Sequence, residues 1–283
     1  MKILVTGGKG YVGSRLVERL KKLGHDVKSF SQEDGEDVRE LEEVKKASKG
    51  IDAIYHLAAL ISISKSIKEP YEFFEVNAHG TANVLEAARI NGIETVILCS
   101  TSKVYGKAQK LPIDENHPLI PASPYGASKL IAELLCRQYA LHYGIKTPIL
   151  RVFNVYGPEQ KSDLIIPTIL RQAEKGSEIA LRSVQSKRDF VYVDDVIDAL
   201  VLALEKRESD TYNIGTGEAT SIEELVGIAS KLMKKKLEIR LSGSDPLTEE
   251  RADVEKAKKK LGFEAKVGIE EGLKRTISSL EKK

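Results

Sequence analysis

A nine-residue stretch near the start of the chain, VTGGKGYVG (residues 5–13), sets Gly7, Gly8, Gly10 and Gly13 between an apolar run and a segment with helical spacing. Both Gly8-x-Gly10-x-x-Gly13 and Gly7-x-x-Gly10-x-x-Gly13 match a dinucleotide-binding turn. Such a turn needs glycine for a tight reversal, for close approach of backbone to a pyrophosphate, and for close helix–strand packing. The helix that follows aims its free N–H groups at the phosphates. A plain strand–helix turn accounts for one or two of these glycines, hardly for all of them.

The rest of the first half repeats the alternation. Tyr11 to Leu23 carries Val12, Leu16, Val17, Leu20 and Leu23 at helical spacing; HDVKSF reads as a strand, Leu41–Ala47 as a short helix and IDAIYHLAA as a strand. Glu72 to Ile90 reads as a helix, ETVILCS as a strand, Ser128 to His142 as a helix and TPILRVFNV as a further strand. Strands separated by helices of this length imply right-handed crossovers and a parallel sheet covered on both faces. The expected class is α/β, a Rossmann-type doubly wound parallel sheet. From about Tyr156 the elements become shorter and irregular, which predicts a smaller mixed α/β C-terminal lobe packed against the sheet. Residues 1–155 are expected to form the dinucleotide-binding domain and 156–283 most of a substrate lobe, with segments near 190–215 returning to the first part.

Hydrophobic residues make up 41% of the 283 positions and charged residues 30%, a globular composition. A formal net charge of +2 demands no nucleic-acid partner. The runs Lys234–Lys236 and Lys258–Lys260 read as solvated helix faces. Cys99 and Cys136 lie far apart in apolar patterns, as expected of reduced thiols in a cytoplasmic protein. No apolar run is long enough to span a membrane, and Met1 leads straight into a strand without a signal peptide. The histidines lack ligand spacing, so no metal is expected, and His56 reads as a packed strand-end residue.

The end of the second strand normally carries an acid for the adenosine ribose. Ser31 stands there, with Glu33 and Asp34 just beyond. Either acid could meet the ribose hydroxyls, or Ser31 could tolerate a 2′-phosphate. NAD is expected over NADP because no arginine stands nearby.

The segment ILCSTSKVYG (97–106) begins as a buried strand and breaks into Ser100, Thr101, Ser102 and Lys103. A polar loop would look the same as a catalytic mouth. Further on, SPYGASKLIAELL holds Tyr125 and Lys129 four residues apart, on one face of a helix that begins by Tyr125. A free tyrosine, with a pKa of about 10, is a poor base at neutral pH. A neighbouring ammonium and a positive nicotinamide ring would lower it. An ordinary surface Tyr/Lys pair has the same spacing.

Taken in order, Gly7-x-x-Gly10-x-x-Gly13, HLAA (56–59), NAHGTANVLEAA (77–88), CSTSKVYG, SPYGASK, LRVFNVYGP and RDFVYVDDV resemble the extended short-chain dehydrogenase/reductase superfamily. The likeness is greatest to its nucleotide-sugar epimerase/dehydratase branch. It covers nearly the whole chain and is weakest after residue 235. It implies a catalytic set of Thr101, Tyr125 and Lys129. Thr101 would hydrogen-bond the reacting oxygen, Tyr125 would carry the proton, and Lys129 would hold the nicotinamide ribose. The implied coenzyme residues are Gly7, Gly10, Tyr11, Val12, Gly13, Ser31, Asp37, Val38, the HLAA residues Leu57, Ala58 and Ala59, Asn77 and Ser100, with Tyr125 and Lys129.

The implied substrate residues are Thr101, Tyr125, Asn154 and Arg188, and Arg251 or Arg240 as the late arginine on the diphosphate. A salt bridge of Arg188 to Asp189 or Asp194 is the competing reading. Dehydratases of this branch carry an acid directly after the threonine, where this chain has Ser102 and Lys103, so dehydration is disfavoured. The implied reaction is NAD-dependent 4-epimerisation of a nucleotide-activated hexose such as UDP-glucose or UDP-galactose, by transient oxidation at C4. A keto-sugar reductase or dehydrogenase is the alternative, and a non-catalytic dinucleotide sensor is the third. The helices Glu72–Ile90 and Ser128–His142 would form a homodimer interface. Between the second strand and Asp37 the chain is several residues shorter than in the family, which puts the family's third strand in question.

Overall fold

A computed structural model describes residues 1–160, 164–244 and 247–280. The first half runs β1 (Lys2–Thr6), α1 (Tyr11–Lys22), β2 (Asp26–Phe30), α2 (Leu41–Ala47), β3 (Ala53–His56), α3 (Ile63–Lys68), α4 (Pro70–Phe73), α5 (Gly80–Asn91), β4 (Thr95–Thr101), α6 (Pro124–Tyr143) and β5 (Ile149–Val152). The second half runs β6 (Asn154–Tyr156), α7 (Ile165–Lys175), β7 (Glu178–Leu181), β8 (Lys187–Arg188), β9 (Phe190–Tyr192), α8 (Val193–Lys206) and β10 (Thr211–Ile214). It ends with β11 (Thr220–Ser221), α9 (Ile222–Leu232), β12 (Glu238–Leu241), β13 (Glu249–Glu250) and α10 (Ile269–Leu280).

Six strands form one sheet in the order β10-β5-β4-β3-β1-β2, and every neighbouring pair is parallel. Alternate side chains feed two cores. Ile3 and Val5 of β1 pack with α1 and α8, whereas Leu4 faces α2, α5 and α6. This two-sided burial explains the unbroken apolar runs in the sequence. The chain leaves β1 for β2 on one side and then returns to place β3 on the other. That reversal opens a crevice at the carboxyl ends of β1 and β3, where open sheets of this kind bind ligands. The stretch between β2 and Val38 is too short for another strand. It forms a single tight turn, Gln32–Asp34, and β2 is left as the sheet's edge.

Three small sheets, β11-β8-β13, β12-β7 and β6-β9, stand beside the large one. With α7, α9 and α10 they enclose a separate apolar cluster around Tyr156, Ile179, Phe190 and Leu225. This is the smaller mixed α/β lobe, and β10 leaves it to pair with β5 of the main sheet.

Two helix boundaries differ from the sequence expectation. The helix expected from Ser128 begins at Pro124, because Ser123 accepts the Gly126 N–H at 3.2 Å and proline occupies the first helical position. The helix expected over Glu72–Ile90 is divided by a π-helical turn, Phe74–His79, which turns Asn77 inward.

Candidate active site

The glycine loop is closed by contacts that leave no room for a side chain. A Cβ on Gly13 would lie 2.0 Å from the Gly7 carbonyl oxygen, and one on Gly7, at φ +69°, 2.7 Å from Ala58 N. The loop is thereby pressed onto the HLAA turn. Gly10 caps α1 without a side-chain hydrogen bond, and no acid stands in the helix's first turn. The first N–H groups are therefore open to an anion, and this cradle fits the pyrophosphate of a dinucleotide. Val12, the second residue of α1, packs against the core. Tyr11, at the helix start, has its buried hydroxyl without a hydrogen-bond partner, beside Gly157.

The mouth of the crevice is built from β4 and α6. Thr101 ends β4 and Tyr125 sits at the second position of α6, where the Thr101 side chain is near enough to the phenol to favour its ionised form. Gly126 makes this meeting possible. A Cβ there would stand 2.5 Å from the Lys103 carbonyl oxygen, so only glycine lets the helix reach the strand end. Phe73 packs edge-on against Tyr125 with ring centroids 6.3 Å apart. Lys129 lies one turn further along and is 2% exposed. Its ammonium has no hydrogen-bond or ion-pair partner among the described residues, and its charge acts on His56, Cys99 and Cys136.

Burial pushes the Tyr125 phenol up to about 12, against the lowering effect of Thr101, and burial also pulls Lys129 down. The expectation of a lowered phenol is thus corrected for the protein by itself. The ring sits in a dry site, and Lys129 is not among the groups that act on it. Positive charge brought beside the ring, such as that of a nicotinamide, would favour its ionised form.

Several expected residues occupy other roles. Ser100 donates to Glu133 Oε1 at 2.5 Å, so its hydroxyl proton is committed to α6 and is not free for a reacting oxygen. Asn77 does not line the crevice. It is fully buried, accepts the Leu60 N–H at 2.8 Å, and donates to the Leu60 carbonyl at 3.0 Å and to Ser128 Oγ at 2.9 Å. It fixes the loop after β3 to the helix that carries Tyr125. Asp37 is held by Arg39, which keeps its carboxyl below the usual range. Val38 is buried against Gly80, and the Asn83 amide donates to its carbonyl at 3.0 Å. His56 is a packed strand-end residue, between Thr6 Oγ1 at 2.7 Å and Thr81 Oγ1 at 2.9 Å. Burial, with Lys129 beside it, pushes it down to about 3.

On the lobe side, Asn154 donates to the Asp189 carbonyl at 3.0 Å and lies 3.4 Å from Glu250 Oε2. Asp189 is spent on the N–H groups of Thr216, Gly217 and Ala252 and on the Thr216 hydroxyl. Arg188 on β8 consequently makes no ion pair among the described residues. Arg251 follows β13, its Nε buried without a partner among the described residues. Arg240 is elsewhere, on exposed β12, paired with Glu178 at 2.7 Å.

Two ion pairs gave no signal in the sequence. Arg151 on β5 holds the Glu133 carboxylate through Nε and Nη2, and its Nη1 donates to the Tyr105 hydroxyl at 2.9 Å. Lys103 reaches both oxygens of Glu250 at 2.6 and 2.5 Å, tying the catalytic turn to the lobe. Burial would raise the Glu250 carboxyl, but Lys103, Arg188 and Asn154 outweigh it and hold it below the usual range.

The arrangement sets the glycine turn at the end of β1 and a buried hydroxyl–phenol–ammonium set at the end of β4. It suits reversible proton transfer to an alcohol or ketone oxygen beside a bound dinucleotide. A family model described as the NAD dependent epimerase/dehydratase family matches residues 3–215. The UDP-glucose 4-epimerase of Rhizobium meliloti is 33% identical, over 93% of this chain and 92% of that protein. The crystal structure of UDP-glucose 4-epimerase from Thermotoga maritima with UDP-glucose superposes with a TM-score of 0.95 at 31% identity, covering 100% of this chain and 99% of that one. The structure of MoeE5 in complex with UDP-glucose and NAD does so with a TM-score of 0.93 at 32% identity, covering 100% and 99%.

Proposed function

The chain belongs to the NAD dependent epimerase/dehydratase family, and from that premise we propose that it interconverts the C4 epimers of a UDP-activated hexose. UDP-glucose and UDP-galactose are the first pair to test. The observation that carries this reading is the Thr101–Tyr125–Lys129 set at the strand ends, with no carboxylate in the following turn Ser102–Val104. Expelling water from a sugar needs an acid that can give up a proton. The carboxylate that does reach the mouth, Glu250, is held ionised by Lys103.

Tyr125 takes the proton of the 4-hydroxyl, and Thr101 donates a hydrogen bond to the same oxygen. NAD supplies reversible acceptance of hydride at this place. Lys129, unpaired by any carboxylate among the described residues, is free to hold the nicotinamide ribose. Asn154 and Arg188 would hold the diphosphate while the sugar turns over, with Arg251 the late arginine beside them. The substrate lobe then corresponds mostly to 156–283, with 190–215 shared. Burial of the phenol serves the chemistry, because a dry site protects a keto-sugar until it is reduced again.

The protein is further read as a homodimer. Ile90 on α5 and Ile131, Leu134, Leu141 and Tyr143 on α6 are exposed apolar side chains on the two helices expected to pair. Leu134→Glu should yield monomers by light scattering. Two unpaired cysteines, Cys99 and Cys136, suit the cytoplasm. No helix among the described residues is long and apolar enough to cross a membrane.

The deciding experiment incubates the purified protein with several UDP-sugars and no added coenzyme. Appearance of the C4 epimer supports the proposal. Conversion only when NAD(P)H is supplied and consumed replaces it with a keto-sugar reductase.

A further inference from the structure

The end of β2 lacks the acid that this type of sheet sets against the adenosine ribose. Ser31 is there instead, 3% exposed, its hydroxyl accepting the Lys9 N–H at 3.0 Å. After the tight turn Gln32–Asp34 the chain comes back to the same spot. The Glu36 N–H donates to the Ser31 carbonyl at 3.3 Å, and one Glu36 carboxylate oxygen accepts the Ser31 N–H at 3.0 Å. A carboxylate thus arrives at the strand end five residues later than usual.

The other acids of the segment are engaged or turned away. Asp34 is bound to the Lys9 ammonium, Asp37 to Arg39, and Glu33 is exposed on the turn. The second oxygen of Glu36 has no partner among the described residues. Lys9 and Asp34 cancel, which leaves the charge of Glu36 unbalanced next to Ser31.

We propose that Glu36 is the residue that selects the coenzyme, its free oxygen accepting from the adenosine ribose hydroxyls and its charge repelling a 2′-phosphate. The inference rests on the dinucleotide reading of the crevice and adds the choice between NAD and NADP. It also assigns Asp34 a part. By holding Lys9, Asp34 denies a phosphate the cation that would otherwise receive it.

Calorimetric titration with NAD and with NADP tests this without turnover, using protein stripped of carried-over dinucleotide and thermal melts to verify folding. The wild-type protein should bind NAD about tenfold or more tighter than NADP, the scale of one charged hydrogen bond. Glu36→Gln should weaken NAD and shrink that ratio about tenfold. Adding Asp34→Asn frees Lys9 and should bring NADP level with NAD or ahead of it. An unchanged ratio in Glu36→Gln, or equal binding of the two dinucleotides by the wild type, would overturn the proposal. Binding of neither by the wild type would overturn the coenzyme reading itself.

Discussion

Two ion pairs flank Thr101, one bonded to Ser100 just before it and one carried by Lys103 two residues after it, and they are built on opposite plans. Glu133 and Arg151 are both 0% exposed and bonded on nearly every side, to each other, to Ser100 and to Tyr105. Lys103 and Glu250 retain 23% and 18% exposure. The first pair lies under the catalytic strand and has no freedom to rearrange. The second bridges two lobes where both side chains keep partial contact with solvent. The same pairing chemistry thus makes a fully enclosed network beneath the site and a partly exposed tie above it.

The comparison breaks most sharply at Glu133. Glu133→Gln leaves the Arg151 guanidinium buried without its counter-charge, and urea denaturation should report a loss of about 3–5 kcal/mol. A loss under 1 kcal/mol would mean the network is not the support described. Tyr125→Phe should leave the fold and NAD binding untouched while turnover falls by about 10²–10⁴. Wild-type activity in that variant would remove the phenol from the chemistry. Thr101→Ala should cost about 10–100-fold in kcat. Ser100 cannot compensate, because its hydroxyl is fixed on Glu133; full retention of activity would show that it can.

The mildest change is Lys103→Met, expected to cost about 1 kcal/mol or less in urea. Its pH dependence carries a sign. Glu250 in the folded protein lies below its usual value, so the pair stabilises above the unfolded carboxyl range, about 4.3. That contribution is lost as pH falls through the lower folded value. The gap between wild type and variant should therefore close on acidification. A gap that widens in acid would place the stabilisation elsewhere.

The frame of the molecule was legible because its signals are local. Gly7, Gly10 and Gly13 sit at a fixed spacing, and strand and helix periods differ. Tyr125 and Lys129 were legible once a helix was drawn through them, although its start was set late by passing over Ser123 and Pro124. What stayed hidden depends on chain returns. Nothing in the order of residues links Glu133 to Arg151, or Lys103 to Glu250, since each pair closes only when β4, β5, α6 and β13 are assembled. Glu36 was missed for the same reason, while Ser31 and its nearer acids were weighed. Asn77 matched a motif, but the π-helical turn buries it behind the wall it was expected to line.

The brevity of the chain after β2 has an outcome of its own. An outermost ribbon with unpaired backbone groups invites a second molecule to continue the pleat, and long chains of copies can grow that way. Asp26 and Lys28 stand exposed along it, so an incoming neighbour would have to strip water from charge before it could zip on. A border strand is tolerable here because it already carries its own fence.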